Sequence, residues 1–510
     1  MNGMHTSFPN DRFNSQLVKF ISVFAMAAGA GFTASLYSPF IPLAASIVFT
    51  SAAIAVYISG HIPLVRSYTI VAASGEAAER NALFYLFYVG FFLSITIPKS
   101  GKTISGIPIT TANMVILLTL ACWFITVLVF HKSFSSIPMV RPLVIFILYG
   151  AVVSVTGFLQ NNPLKAIVLD FVSFIGFIPI YLMVCHLVRN KKQIRLIVIA
   201  VILGLLLVCG YGVLQKQYGA SRVAIPGITE QYGLIQYAEF GGRWNIIEGG
   251  GQKLYSTFQN GNIFGHHLAI FFPFLGGIII SLRSFWKRLL LLAFLSGGLY
   301  ILFLTYSRGA MVATISGLLT LTIVSKKVRL RVLLVVIISF VMLFILASQY
   351  SDRPEFNRYN IQRIKEDPNQ FSAGRLERAS QAFAGFRQLP FTQKLFGIGF
   401  GGVLITPAYW RLEYVDNLYL TLLFKMGIIG FILLLWLLGC IFLTLFRLRA
   451  QSSDIQTKGL INGGIAGLAA ALVHNLADVL WLFPPLAANF WFLAGISVSI
   501  GIIDIQTGKS

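Results

Sequence analysis

The sequence predicts an all-α protein that crosses a membrane many times. Apolar residues make up 56% of the 510-residue chain and charged residues only 11%. Apolar runs of about twenty residues, enough to span a bilayer as a helix, recur from end to end. Between Ser348 and Arg411 a mixed-charge segment of about sixty residues interrupts this pattern. The chain is therefore expected to be a polytopic membrane protein with one large, partly helical loop, and not a soluble globular domain.

About fourteen runs are long and apolar enough to form membrane-spanning helices. The run at 83–98 is short. The 34-residue run at 413–446 is longer than a bilayer is thick, so its first turns are predicted to stand outside the membrane. The predicted spans are 17–36, 38–59, 83–98, 107–130, 139–158, 164–187, 194–216, 255–281, 287–305, 307–324, 329–348, 413–446, 457–477 and 481–503.

The net charge of +22 comes from basic residues in the short loops between spans. Such an excess would suggest nucleic-acid binding in a soluble protein, but here it indicates control of topology. Four basic clusters fall in alternate loops, which the positive-inside rule makes cytoplasmic. Both termini are then cytoplasmic, and 217–254, the corner at 305–308 and the loop at 349–411 are extracytoplasmic. The clusters are Arg189, Lys191, Lys192 and Arg195; Arg283, Lys287 and Arg288; Lys326, Lys327, Arg329 and Arg331; and Arg447 and Arg449.

One membrane domain is predicted, because the chain shows neither a fixed-period repeat nor a match between its two halves. The four cysteines lie in apolar runs without metal-ligand or redox spacing, which indicates small core residues. The predicted parts are about seven amino-terminal spans at 1–216, an outer loop at 217–254, central spans at 255–348, the large outer loop at 349–411, and carboxy-terminal spans at 412–510.

Within the large loop, apolar residues at three- and four-residue spacing predict an amphipathic helix over 374–388. Pro390 stops this helix, and the glycine-rich segment 396–402 after it is predicted to be a flexible turn. A helical loop of this kind can pack as a lid over the membrane face. The apolar positions are Leu376, Ala379, Phe383 and Phe386.

The sharpest local motif is Thr-Tyr-Ser-Arg-Gly at 305–309. It puts Arg308 at the predicted outer end of one span, where a tight corner begins the next. A guanidinium there can bind phosphate oxygens in a bidentate manner. An interfacial arginine that snorkels into the headgroups explains the spacing equally well. A cation on the outer side, however, runs against the topological bias.

A second motif, the polar stretch 253–262, opens a predicted span. The amides of Asn260 and Asn262 can bind sugar hydroxyls, and the amino end of a helix favours anions. Lys253 adds positive charge, as does Arg243 in the outer loop before it. These residues are predicted to contact a phosphate or a glycan.

A third motif, 414–420, places Asp416 and Asn417 at the outer mouth of a span. A carboxylate there is costly unless it is paired or lies in a wet cavity, which makes Asp416 a candidate functional residue. It can act as a general base toward a sugar hydroxyl, and Asn417 is predicted to contact the glycan. A helix N-cap is the structural alternative for Asp416, and the two roles are compatible.

Histidines also occur in the predicted spans. His474 and Asp478 stand four residues apart on one helix face, and both a structural hydrogen-bonded pair and a contact with substrate remain open. His266 and His267 are adjacent and point to different faces, so they are not expected to share a metal. A buried histidine bonded to a neighbour is the plainer interpretation for them.

The sequence lacks a P-loop, zincin spacing and the Asp-x-Asp that holds a metal with a nucleotide sugar, so neither cofactor nor metal is expected. An outward-facing basic site of this kind suits a phosphate-bearing lipid, whose diphosphate leaving group Arg and Lys would stabilise.

Four motifs follow one another over roughly 250–435: Lys-x-Tyr-Ser-Thr-Phe-x-Asn-x-Asn; Thr-Tyr-Ser-Arg-Gly-Ala; Ala-Gly-Arg with Phe-Gly-x-Gly; and Asp-Asn-x-Tyr-Leu with Gly-x-x-Gly. Each is weak alone. Their order, with the large loop between spans, resembles the O-antigen ligase/polymerase superfamily. The resemblance implies a metal-independent, inverting membrane glycosyltransferase of the GT-C type. Its donor would be a glycan linked to undecaprenyl diphosphate outside the cytoplasm.

The resemblance also implies roles for single residues. Arg308 falls on the family's Ser-Arg-Gly arginine, which contacts the donor diphosphate, and Arg375 on the arginine that opens the loop helix. Lys253 stands where many members have Arg, so the charge is kept but the bidentate fork is lost. At Asp416-Asn417, ligases that attach O-antigen to lipid A core carry His-Asn or His-Ser. An aspartate looks more like the polymerases.

The resemblance therefore favours a polymerase of O-antigen, capsule or exopolysaccharide that moves a growing glycan onto the next lipid-linked repeat unit. A ligase that uses lipid A core or another acceptor is the first alternative. A flippase for lipid-linked oligosaccharides is the second, but it would need charged residues deep in the spans of both halves. The expected location is the bacterial cytoplasmic membrane. The expected partners are the bilayer, the lipid-linked donor, a glycan acceptor and a chain-length regulator, without nucleic acid.

Overall fold

The computed structural model is a bundle of long apolar helices, numbered here in chain order. The described residues are 72–104, 107–129, 137–225, 228–229, 253–325, 374–406, 409–412 and 415–507. The helices are α1 Ala72–Thr96, α2 Thr111–Val129, α3 Val140–Leu159, α4 Leu164–Phe174, α5 Pro179–Leu187, α6 Lys191–Tyr218, α7 Gly261–Ser281, α8 Phe285–Leu304, α9 Arg308–Ser325, α10 Arg375–Gln388, α11 Phe391–Phe396, α12 Leu418–Gln451, α13 Ile455–His474 and α14 Pro484–Thr507.

Among the described residues, nine stretches are long and apolar enough to cross a membrane, one of them formed by α4 and α5 together. The apolar part of α1, Asn81–Thr96, is shorter. Helix α13 has 20 residues and is rich in Gly and Ala. The predicted all-α polytopic membrane fold is confirmed. The predicted spans 17–36, 38–59 and 329–348 lie outside the described residues.

The start predicted for the span at 107–130 is wrong for a local reason. Residues 107–110 do not open a span but form β2, which pairs antiparallel with β1 at Gly101–Ile104. β-Branched residues on both sides of a short turn favour such a hairpin. The span predicted at 164–187 is confirmed as one apolar stretch, Leu164–Leu187, but it consists of two helices, and Pro179 stands in the first turn of the second. A second hairpin joins Leu404–Thr406 and Tyr409–Leu412.

Helices α7 and α14 form the centre of the bundle, since nearly every residue of each is buried. Helix α13 packs on α7 with glycines at the contact. A Cβ on Gly277 would lie 2.5 Å from the Cα of Gly463. Small residues let two helix backbones approach closely in a membrane, where burial of apolar surface adds little. The packing therefore depends on backbone contact rather than on large side chains.

The loops fall at two ends of the bundle. At one end Ser281 Oγ donates to Gln456 O at 2.8 Å, and Arg449 donates to Val324 O. Among the described residues, these contacts bring the ends of α7, α9 and α12 and the start of α13 together. At the other end the backbone amide of Leu254 donates to Leu304 O, and that of Leu418 to Asn475 O. Which side of the membrane each end faces stays a prediction.

The loop helix α10 forms where the sequence predicted it, but half of its expected apolar stripe is exposed. Phe386 packs against Phe424 of α12, whereas Leu376 is 60% and Phe383 43% exposed. Ala382, which was not assigned to the stripe, is buried beside Phe386. The second half of α10 therefore packs on α12, whereas Leu376 in its first turn is exposed.

The glycine-rich segment 396–402 is not the flexible turn that the sequence suggested. Residues 397–402 are buried. They fit against a break in α12 at Gly427, where φ is 69° and ψ is −175°. This conformation is essentially restricted to glycine. Helix α12 therefore consists of a short first part that ends near Met426 and a long second part that continues to Gln451.

Candidate active site

The described candidate residues meet at one end of the bundle, the end predicted to be extracytoplasmic. Each lies at or just beyond a helix end: the starts of α7, α9, α10 and α12, and the end of α13. Because successive helices run in opposite directions, residues that are far apart in the sequence lie at the same end of the bundle. We call the following residues the polar cluster: Lys253, Asn262, Arg308, Arg375, Arg378, Asp416, Asn417, His474 and Asp478.

Asp416 forms ion pairs with two arginines of α10. Its Oδ2 lies 3.7 Å from Arg375 Nε and accepts a hydrogen bond from Arg378 Nη2. The aspartate has a positive φ of 41°, in the region that Asp tolerates better than most residues. Its side chain is 32% exposed, so a substrate can reach it. Arg378 was not predicted as a site residue, although its position three residues after Arg375 indicates the same helix face.

Asn417, and not Asp416, caps α12. Its Oδ1 accepts from the amide of Leu420 at 3.0 Å, which satisfies one of the donors left over at a helix start. Its Nδ2 donates to Leu476 O at 2.9 Å, beyond the end of α13. The cap interpretation for Asp416 is therefore wrong, and the aspartate carboxylate is left for the arginines.

Arg375 also approaches a second carboxylate. Its Nη2 lies 3.6 Å from Asp478 Oδ2, and that oxygen accepts from Asn262 Nδ2 at 3.2 Å. Burial raises the pKa of Asp478, while the charge of Arg375 opposes the shift and that of Asp416 adds to it. The cluster thus holds two carboxylates that share one guanidinium, in an environment that resists a second negative charge.

His474 does not pair with Asp478 as the spacing suggested, because α13 ends at His474 and Asp478 lies beyond it. Instead its Nδ1 is 3.0 Å from His266 Nδ1, and its side chain is buried. A Cβ on Gly309 would lie 3.0 Å from His474 Nε2. His474 therefore supports the Arg308 corner from inside the bundle, and the buried, bonded interpretation of His266 is confirmed.

The two remaining predicted cations stand on adjoining segments. The turn that follows Lys253 packs on the corner before Arg308, since a Cβ on Gly261 would lie 2.5 Å from Thr305 O and 3.3 Å from Lys253 Cβ. Both side chains are partly exposed. Asn260 is 8% exposed, and its Oδ1 accepts from the amide of Ile263 at 2.9 Å, which makes it the N-cap of α7.

Arg243 lies outside the described residues, so its predicted contact stays a prediction. Among the described residues, no group of three or more His, Cys, Asp or Glu side chains is placed to hold a metal ion. The described arrangement brings four basic side chains and two carboxylates to one surface. Such a surface can bind an anionic group and accept a proton from a neighbouring hydroxyl.

The fold and the polar cluster define a polytopic membrane protein with a charged site at one end of its helices. Residues 290–435 match the O-antigen ligase family, which covers α8 to the second part of α12 and includes Arg308, Arg375 and Asp416. This match covers less than a third of the chain and supports its resemblance to the O-antigen ligase/polymerase superfamily, whose members are glycosyltransferase-like enzymes. A search of curated proteins gave no match.

Proposed function

We propose that the protein is a polysaccharide polymerase. In this proposal it transfers a growing glycan from undecaprenyl diphosphate to a lipid-linked repeat unit at the extracytoplasmic face. The main support is that Arg375 and Asp416, from separate segments of the family match, form an ion pair at a partly exposed surface, while Arg308 opens α9 next to Gly309, which packs against His474. Cations beside a carboxylate suit a reaction in which a diphosphate departs and a hydroxyl loses a proton.

In the proposed reaction the acceptor hydroxyl attacks the anomeric carbon opposite the diphosphate. The new glycosidic bond forms as the bond to the diphosphate oxygen breaks, so the anomeric centre is inverted. The hydroxyl proton passes to the Asp416 carboxylate. Lys253, Arg308 and Arg375 bind the diphosphate and stabilise its departure as undecaprenyl diphosphate. The chemistry involves only side chains, the donor and the acceptor.

The ion pairs of Asp416 suggest how the donor prepares the base. Arg375 and Arg378 both form ion pairs with this carboxylate. An incoming diphosphate carries more negative charge than one carboxylate and competes for the same guanidinium groups. Its binding would therefore release the Asp416 oxygen toward the acceptor. On this reasoning the donor must bind first, and only then can Asp416 accept the proton of the acceptor hydroxyl.

The ligase alternative uses the same donor site and differs only in the acceptor. The flippase alternative would use charged residues deep in the spans as a path for phosphate. Two described charges deep in the spans of the two halves, Asp170 and Lys425, instead neutralise each other and are 4% and 6% exposed. This arrangement favours a fixed contact over a transport path.

The test uses purified protein in detergent with one lipid-linked repeat unit as sole substrate. A ladder of products of increasing length is expected for a polymerase. If product forms only after a chemically different acceptor is added, the enzyme is a ligase. Lipid transfer across vesicles without any glycan product would overturn the proposal in favour of a flippase.

Arg308→Ala should abolish the ladder while the protein still folds. Arg308→Lys should recover part of it, because an ammonium keeps the charge without the bidentate fork. The matched control is Arg283→Ala, an exposed arginine in the loop at the opposite end of α7, which should keep full activity. Full activity of the Arg308→Ala variant would contradict the assignment of Arg308 to the donor diphosphate.

A further inference from the structure

The break in α12 leaves three backbone carbonyls without their usual helical partners, and other parts of the chain supply donors. The amide of Ile398 donates to Phe424 O at 2.9 Å, and the amide of Gly399 donates to Lys425 O at 3.1 Å. Tyr149 of α3 donates its hydroxyl to Met426 O at 2.8 Å. Because an unsatisfied carbonyl in the bilayer is costly, the break persists only while the glycine-rich segment stays in place.

A buried ion pair fixes that segment. Asp170 of α4 and Lys425 of α12 form a salt bridge through Asp170 Oδ2 and Lys425 Nζ. The same carboxylate oxygen accepts from the amide of Gly401 at 2.6 Å, and Lys425 Nζ donates to Gly402 O at 3.3 Å. Both charged groups are therefore compensated by each other and by the backbone of the segment between them.

Asn162, in the turn between α3 and α4, holds the same segment from the other side. Its Nδ2 donates to Ile398 O and to Phe400 O, each at 3.0 Å. The amino-terminal helices thus contact residues 397–402 through Asn162 and Asp170. Neither residue belongs to the part of the chain that matches the O-antigen ligase family.

The segment lies between two parts of the polar cluster. Before it, α10 carries Arg375 and Arg378; after it, the first part of α12 follows Asp416. The two parts pack together through Phe386 and Phe424. A shift of the first part of α12 at its break would therefore move Asp416 relative to Arg308 at the start of α9 and to Lys253 in the stretch before α7.

We propose that Asp170 and Lys425 are positioning residues that hold the glycine-rich segment in the break of α12 and thereby set the place of Asp416. They do not contact the reacting atoms. The effect on catalysis rests on the proposed function, whereas the effect on the position of the segment does not. An apolar pair would fill the same space but would not bind the backbone of Gly401 and Gly402. Buried charge pairs are best supported as devices of this kind, which fix a register rather than add stability.

The test compares Asp170→Leu/Lys425→Met with the wild type by amide hydrogen exchange in detergent. Replacing both partners removes the ion pair without leaving one charge buried alone. We expect amide exchange over 397–402 and 415–426 to become at least about tenfold faster, with α7 and α14 unchanged, because opening is local. The matched control is Ser452→Ala/Asp504→Leu, which removes a buried bond at the other end of α12 and should leave exchange over 397–402 as in the wild type.

Kinetics separate positioning from a general loss of fold. In the Asp170→Leu/Lys425→Met variant kcat for glycan transfer should fall about tenfold or more, with KM for the donor nearly unchanged. The proposal is overturned if amide exchange over 397–402 is unchanged or if exchange is accelerated equally in all helices. It is also overturned if exchange over 397–402 is faster but kcat is normal. If the wild type transfers no glycan, the proposed function fails, and the exchange comparison, which needs no substrate, still decides whether the pair holds the segment.

If this double variant does not fold, Asp170→Asn/Lys425→Met replaces it. This variant keeps an acceptor for the amide of Gly401 and leaves no charge buried alone, but it lacks the ion pair and the bond from Lys425 to Gly402 O. Faster exchange confined to 397–402 and 415–426 would support the proposal. Wild-type exchange over both stretches would contradict it.

Discussion

Substitution of Gly427 by alanine tests whether the break in α12 is an essential part of the fold. A Cβ on Gly427 would lie 2.5 Å from the amide nitrogen of Gly397 and closer still to the carbonyl oxygen of Leu395. These are backbone atoms, so they cannot turn aside as a flexible side chain can. The positive φ alone costs an L-residue about 1–3 kcal/mol.

The larger cost comes from the hydrogen bonds of the glycine-rich segment. If residues 397–399 are pushed out, two buried bonds are lost, and each orphaned group costs about 1–3 kcal/mol. Together with the strain, the substitution should destabilise the protein by about 3–9 kcal/mol. The better helix propensity of alanine recovers only about 1 kcal/mol of this.

The assay is thermal unfolding in detergent, followed by intrinsic fluorescence. Gly439→Ala is the matched control, because it lies in the same helix and a Cβ there meets no atom within 4 Å. This control should unfold at the wild-type temperature or slightly above it. If Gly427→Ala unfolds at the same temperature as Gly439→Ala, the reasoning about the break is refuted.

Three further predictions concern the polar cluster and the histidines beneath it. Arg378→Ala should lower kcat about tenfold or more, because it removes an ion pair of Asp416. Arg378→Lys should recover part of the lost activity, because it keeps the positive charge. Equal kcat in the two variants would contradict a role of the Arg378 charge. Since burial raises the pKa of Asp478, the folded protein holds that proton more tightly than the unfolded chain, and this contribution to stability is lost as the pH rises. Asp478→Asn should therefore unfold at a higher temperature than the wild type at pH 7, and the difference between the two unfolding temperatures should shrink as the pH falls toward 3.8. A lower unfolding temperature of the variant at pH 7 would contradict this prediction. His266→Phe should destabilise the protein by about 1–3 kcal/mol because it removes a buried bond. For His267→Phe the free energy of unfolding should stay within about 1 kcal/mol of the wild type. The ring of His267 lies between phenylalanines, and neither of its nitrogens has a hydrogen-bond partner among the described residues. Equal losses of stability in the two variants would contradict a stabilising role for the bond between His266 and His474.

The sequence was sufficient for features that depend on neighbours along the chain. The span predicted at 139–158 is Val140–Leu159, and the loop helix predicted at 374–388 is Arg375–Gln388. Apolar periodicity and a following proline set such elements locally. The charged motifs also indicated which side chains to examine, because a charge at the end of a span seldom lies there without a partner.

Features that depend on distant residues were missed. Gly427 belongs to the Gly-x-x-Gly motif, but the motif does not predict a break in the helix, because the groups that satisfy the break come from Tyr149, Ile398 and Gly399. The His474 pairing failed for a related reason. Spacing of four residues brings two side chains together only while the helix continues, and the partner of His474 comes from α7.

The histidine contact also has a consequence for biosynthesis. His266 and His474 are separated by 208 positions, and the contact of Ser94 with Asn489 spans 395. A ribosome delivers the amino-terminal helices first, so the first contact must wait for α13 and the second for α14. A nascent chain that stops before α13 therefore lacks Asp478 and the support beneath Arg308. Premature termination would leave a membrane-inserted fragment that holds several of the cations but not the complete site.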